Sequence, residues 1–269
     1  MIREPAFAGT FYPGSETSLK NTLQHLFESS ASEENYSNIK GIISPHAGYP
    51  YSGKTASFVF NKLINQNFET AIIISPSHHE YFEGCSIYDG DAYGTPLGSV
   101  PVNKTVTEKL VDSNPMIFEG VKGHRQEHGI EVIIPFLQYV SSDFSFVPIV
   151  MGDQNKIYVD GLADSLSDVI DDRTLVIAST DLSHFYSHNN ADKLDSVFEK
   201  RVREFDFDNL EENLRTGECE ACGGGPTLAV MKALHKKGIV NSKVMNRTDS
   251  GLVSGDLSNV VGYLSALFY

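Results

Sequence analysis

The chain has no tryptophan, only three cysteines among 269 residues, and no apolar run approaching the roughly 18 to 20 residues that a membrane-spanning helix needs. Cys85, Cys219 and Cys222 cannot form an even disulfide framework, which fits a reducing compartment. Basic residues are also scarce: 21 Lys and Arg face 35 Asp and Glu, for a formal net charge of −14. A nucleic-acid binder needs a basic footprint, so nucleic acid is not an expected partner. There is no G-x-S-x-G elbow, no Walker loop and no G-x-G-x-x-G turn. The usual signals for a serine hydrolase, a phosphate-loop enzyme and a dinucleotide enzyme are therefore missing. The opening Met1-Ile2-Arg3-Glu4-Pro5 lacks the apolar core of a signal peptide, so the expected location is cytoplasmic, away from membranes.

What the chain does have is histidine after buried strands. Ala71-Ile72-Ile73-Ile74-Ser75-Pro76 reads as a central strand covered on both faces, because its apolar run does not alternate. Pro76 ends it, and His78 and His79 follow. Gly41-Ile42-Ile43-Ser44-Pro45-His46 repeats the pattern, and Leu175-Val176-Ile177-Ala178-Ser179 runs into Asp181 and His184. In open α/β sheets ligands bind beyond the carboxyl ends of strands, so these three ends predict one polar site.

The remaining pattern alternates strands with helices over short connections. Residues 1–14 read as an ordered, aromatic-rich arm carrying Phe7, Phe11 and Tyr12. Helices are expected at 16–27, 54–64, 107–112, 131–140, 157–170, 190–205, 210–216 and 227–237, and strands at 39–44, 71–75, 145–150, 174–179, 242–246 and 260–268. Residues 82–105 read as a β-excursion over the sheet edge. The expected fold is α/β: a single domain spanning 1–269 with a mostly parallel central sheet flanked by helices.

His46, His78 and Cys222 are candidate metal ligands, since imidazole and thiolate suit Zn, Cu or Fe and a catalytic metal keeps about three protein ligands. Cys222 opens a Gly-rich helix start, where the helix N-terminus is expected to lower its pKa. Cys219-x-x-Cys222 also fits a redox or half-zinc motif. Asp181 and His184 are candidates for proton transfer. His124, Glu127, His128 and Glu131 form a further polar cluster that reads as support or substrate contact. A cysteine nucleophile, Cys222 with His184 or His46 and Asp181, stays open as an alternative.

With these residues in view, the chain resembles the Memo family. The resemblance is carried by Arg3-Glu4-Pro5, Ala8-Gly9-Thr10-Phe11-Tyr12-Pro13, Pro45-His46-Ala47-Gly48-Tyr49, Pro76-Ser77-His78-His79, Glu127-His128-Gly129-Ile130-Glu131, Ser179-Thr180-Asp181-Leu182-Ser183-His184 and Cys222-Gly223, in that order. That family is similar in fold to the class III extradiol dioxygenases, non-haem iron enzymes that cleave catechol rings. The resemblance implies that His46 and His78 bind a metal, that Cys222 stands where those enzymes have a carboxylate ligand, and that Asp181 and His184 line the pocket. A thiolate is softer than a carboxylate and shifts preference toward Cu(I) or Zn. The expected cofactor is thus one transition metal ion, Fe(II) or Cu first and Zn after them.

On this reading the protein is a metal-dependent redox enzyme in which His184, Asp181 and His128 are catalytic, while Tyr49, Tyr51, His79, Glu131 and Phe11 contact a small-molecule or peptide ligand. The resemblance also implies a rival, a non-catalytic module that binds a phosphopeptide or protein in the same pocket. It implies as well a functional link to a radical-SAM protein and an AMMECR1-like protein.

Overall fold

The computed structural model describes residues 1–269. At its centre are four parallel strands in the order β2 (Gly41–Ser44), β9 (Thr174–Ser179), β3 (Thr70–Pro76) and β8 (Ser145–Met151). Ile72 and Ile74 of β3 pack into one apolar layer, and Ala71 and Ile73 into the other. This two-sided burial is why the run does not alternate. The first layer holds the buried faces of α3 (Lys104–Ser113), α5 (Lys156–Val169), α6 (His188–Arg203), α7 (Phe207–Thr216) and α8 (Gly224–Lys236). The second holds α1 (Glu16–Ser29), α2 (Tyr49–Phe60) and α4 (Ile134–Val140).

The sheet is parallel only at this centre. On one side β12 (Val260–Phe268) pairs antiparallel with β2, with β10 (His184–Tyr186) and with β11 (Ser242–Asp249), which leads into it through α9 (Gly251–Ser254). On the other side β4 (Cys85–Tyr88) runs antiparallel to β8, and β7 (Ile117–Gly120) runs parallel to β4. The excursion expected at 82–105 therefore divides. Its first part joins the main sheet, and β5 (Ala92–Thr95) and β6 (Gly98–Pro101) make a small second sheet with β1 (Ile2–Arg3). None of the helices is long and apolar enough to cross a membrane.

Five helix starts differ from expectation by three to five residues, and at two of them the reason is a proline. The helix expected from residue 54 starts at Tyr49, with Pro50 in its first turn, where a missing N–H costs nothing. Conversely, the helix expected from residue 131 starts at Ile134, with Pro135 in its first turn. Residues 124–133 are consequently irregular, and their backbone groups must find partners elsewhere.

Candidate metal centre

Pro45 ends β2 and delivers His46, which is 1% exposed, to the carboxyl end of the sheet. Its backbone N–H donates to Asp181 Oδ1 at 2.8 Å. Its ring Nδ1 lies 2.7 Å from Ser179 Oγ, and that hydroxyl already donates to the Gly129 carbonyl at 2.6 Å. With the serine proton committed, His46 Nδ1 must carry the hydrogen, which leaves Nε2 with a free lone pair. Burial holds the imidazole pKa well below its usual value, so the ring is neutral and able to ligate.

His78 is oriented by a different route. Its backbone N–H donates to Glu127 Oε2 at 2.9 Å and its Nδ1 to Glu127 Oε1 at 2.7 Å. A buried carboxylate on Nδ1 is the usual way a metal-binding imidazole is oriented, and again Nε2 is left free. The His78 side chain is 23% exposed, so the site opens to solvent on this side.

His128 stands in the irregular loop beside Glu127. Its Nδ1 is buried without a hydrogen-bond partner, and at 3.6 Å Glu127 Oε1 is too distant to supply one. The ring is held by packing instead: centroids lie 4.4 Å from His78, 4.9 Å from Phe11 and 5.4 Å from Phe7. Burial brings its pKa down to about 4. One ligand atom from each of His46, His78 and His128 lies within 4.8 Å of the others. Nitrogens sharing one ion at about 2.0 to 2.1 Å sit roughly 3 to 4 Å apart, so small ring movements bring the three together.

Cys222 stands beside this group, not in it. Its Sγ is 3.2 Å from His46 Nε2 and accepts the Asp181 N–H at 3.1 Å. The expected lowering of its pKa does not occur: burial, with the Asp181 charge adding, pushes the thiol up. The first N–H groups of α8 are taken, Gly223 by Thr180 Oγ1 at 2.9 Å and Gly225 by Gln154 Oε1 at 2.7 Å. Cys219 packs in the apolar layer under α6, α7 and α8 and takes no part in the centre.

Asp181 is 4% exposed, and burial raises its carboxyl to about 7 against the opposing His46 hydrogen bond. His184, on β10, is half-buried and lowered by burial; it lies close enough to His46 and His78 for their charges to interact. Of the expected ligand contacts, Phe11 packs on His128, and His79 is exposed with its ring 6.4 Å from His128. Tyr51 is exposed in the first turn of α2.

Two of those expectations need correcting. Tyr49 is buried, donates its hydroxyl to the Val132 carbonyl at 2.8 Å and packs on Phe136. Glu131 is fully buried with its oxygens saturated, by Arg3 Nη1 at 2.6 Å, the Ala6 and Phe7 N–H groups and the Tyr12 hydroxyl. Neither is free to meet a ligand. The reading of the sequence missed Ser179 and Gly129, which fix the His46 ring, and Arg3. The only signal for them was their place inside the motifs.

These arrangements can be set beside known proteins. The family described as Memo-like protein matches residues 3–267. A MEMO1 family protein of Thermoplasma volcanium is 34% identical over 266 residues, covering 98% of this chain and 97% of its own. One from Methanosarcina barkeri is 35% identical over 270 residues, covering 99% of both. Among solved structures, an uncharacterized protein of Escherichia coli K12 aligns with a TM-score of 0.49 at 12% identity, over 85% of this chain and 99% of that one. With a match across nearly its whole length, the chain belongs to the Memo family.

Proposed function

We propose that this protein is a metal-dependent oxidoreductase holding one transition metal on His46, His78 and His128 and acting on a small aromatic or anionic molecule. The observation that carries the reading is that three imidazoles converge with one ring nitrogen of each within 4.8 Å of the others, and that the one protein atom on His46 Nε2 is the Cys222 sulfur, itself a metal donor. The buried Nδ1 of His128, which has no hydrogen-bond partner, adds to it, since a buried polar nitrogen left unpaired is costly. Imidazole donors suit Fe, Cu and Zn alike; Cys222, once deprotonated, adds a soft donor next to His46 that favours Cu. Bound here, a redox-active ion supplies one-electron chemistry and Lewis acidity at its open positions.

The chain's own groups supply the rest. Asp181 Oδ1 accepts the His46 N–H, and a carboxyl near 7 is half-protonated at neutral pH, able to give or take a proton. His184, whose pKa burial lowers, is the other candidate to take up a proton. Phe7 and Phe11 cover His128 and keep water off that side, so a ligand enters past His78. The cysteine-nucleophile alternative is disfavoured, because the thiol is held protonated beside an imidazole that burial keeps uncharged.

Metal analysis of untagged protein reconstituted with Fe(II), Cu(I) or Zn(II) is expected to find about one equivalent, falling below about a tenth in His46→Ala and in His128→Ala. Less than about a tenth of an equivalent in the unaltered protein refutes the proposal. If Cys222→Ala loses the metal while His128→Ala keeps it, the third ligand is the thiolate. A loaded Fe or Cu protein whose oxidation state responds to neither ascorbate nor oxygen is a binding module, not an oxidoreductase.

A further inference from the structure

The loop that carries Glu127 and His128 is held by a residue near the amino terminus. Arg3, 7% exposed, donates from Nε to the His124 carbonyl at 2.6 Å and from Nη2 to the carbonyls of Glu127 at 2.8 Å and Arg125 at 3.4 Å. Its Nη1 pairs with Glu131 at 2.6 Å, with side-chain exposures of 6% and 0%. The guanidinium also lies 4.6 Å over the Tyr93 ring, and β1 pairs with β5 at Arg3 and Tyr93. Residues 124–133 are irregular, so these carbonyls have no helix or strand partners, and the fork of one guanidinium takes three of them. Glu131 in turn accepts the N–H groups of Ala6 and Phe7, which sets Phe7 and Phe11 against His128. His46 and His78 each have a hydrogen-bonded orienting partner; His128 has only this packing.

Building on the metal-site reading above, we infer that Arg3, paired with Glu131, is the positioning residue for His128, so that the amino-terminal arm sets the affinity and coordination geometry of the centre. Arg3 touches neither metal nor substrate in this role. It fixes the backbone from which the third imidazole projects, and through the arm it presses two aromatic rings onto that imidazole.

The test compares Co(II) and Zn(II) binding to the unaltered protein, Arg3→Ala, Arg3→Lys and a charge-neutral Arg3→Met with Glu131→Gln, which removes the guanidinium without stranding a buried carboxylate. Loss of an orienting group around a metal site typically weakens binding about 10- to 100-fold, and that is the expected loss in all three. The Co(II) visible absorption is expected to lose intensity as the third imidazole drops out. Methylguanidinium is expected to restore both affinity and spectrum to Arg3→Ala, while Lys does not replace Arg, because one ammonium cannot span three carbonyls and a carboxylate. His128→Ala added to Arg3→Ala is expected to cost nothing further.

Folded Arg3 variants that bind within about threefold of the unaltered protein, far inside the usual loss, with an unchanged Co(II) spectrum overturn the inference. Should Arg3→Ala fail to fold, the charge-neutral pair decides by the same two readouts. Amide exchange in metal-free protein separates the two readings. If the unaltered protein binds no metal but Arg3→Ala loses protection selectively at 124–131, the metal reading fails and the loop-positioning part stands; unchanged protection there overturns that part as well.

Discussion

Gly129→Ala is the substitution for which the structure gives the sharpest expectation. Gly129 sits where the orienting partners of His46 and His78 meet: its carbonyl accepts from Ser179 and its N–H donates to Glu127 Oε1 at 2.8 Å. An added Cβ would lie 2.1 Å from Ser75 Oγ, and 3.2 Å from both Glu127 Oε1 and His46 Nδ1. Ser75 is fully buried and its hydroxyl is engaged by the Pro76 carbonyl at 3.0 Å, so it has little room to yield. Overpacking of this kind costs about 1 to 3 kcal/mol. In a chain of this size that is a fall of roughly 2 to 4 °C in melting temperature per kcal/mol. Ser75→Ala removes the clashing oxygen, after which the nearest contacts of the new methyl are the two at 3.2 Å, which need shifts of only a few tenths of an ångström. The double variant should thus recover most of the loss, giving a favourable coupling of about 1 to 2 kcal/mol in urea denaturation, read as a double-mutant cycle. If Gly129→Ala costs under about 0.5 kcal/mol, or Ser75→Ala recovers nothing, the close packing described here is wrong.

Two other outcomes follow from buried titratable groups. Asp195 is 1% exposed, accepts the Ser183 N–H at 3.1 Å, and is raised by burial to about 6. Because its folded pKa lies above the unfolded value, its stabilising contribution is full below about 4 and is lost as pH rises through about 6, a change of about 3 kcal/mol at most. Asp195→Asn should accordingly gain stability relative to the unaltered protein between pH 4 and pH 8, and parallel stability curves over that range would refute the assignment. Cys85 and Cys219 are pushed up to about 12 by burial, and Cys222 is raised as well. At pH 7.5 iodoacetamide should therefore label the native, metal-free protein at least about tenfold more slowly than free cysteine. Rapid modification of Cys222 would mean a thiolate and would revive the nucleophile.

Much of the architecture could be read from apolar runs alone, because a strand buried on both faces has a distinctive composition. Ile72–Ile74 and Leu175–Ile177 fell at the sheet's parallel centre for that reason. Of the antiparallel flanks, β11 and β12 lie where strands were expected and β4 lies in the expected β-excursion, whereas β10 is three residues long and looks like loop. Prolines misplaced two helix starts, since Pro50 and Pro135 are as compatible with a first turn as with a break. At the site, His46 and His78 were legible because each follows a strand that stops at Ser-Pro. The place of His128 was not, because it depends on an irregular loop shaped by Arg3, more than a hundred residues away in sequence. The direction of the Cys222 shift depended on its burial, a matter of tertiary contacts that spacing does not encode.

The three imidazoles come from stretches thirty-two and fifty residues apart, and His46 and His78 are aimed by Ser179 and Glu127, each distant from the ring that it orients. An unfolded chain therefore presents no ready-made chelate of these three. Free metal should discriminate between the folded and unfolded populations, with the thermal midpoint climbing in proportion to the logarithm of its concentration above the dissociation constant. Loading in the cell would then be a late event in maturation, coming after the sheet has closed and the amino-terminal arm has docked.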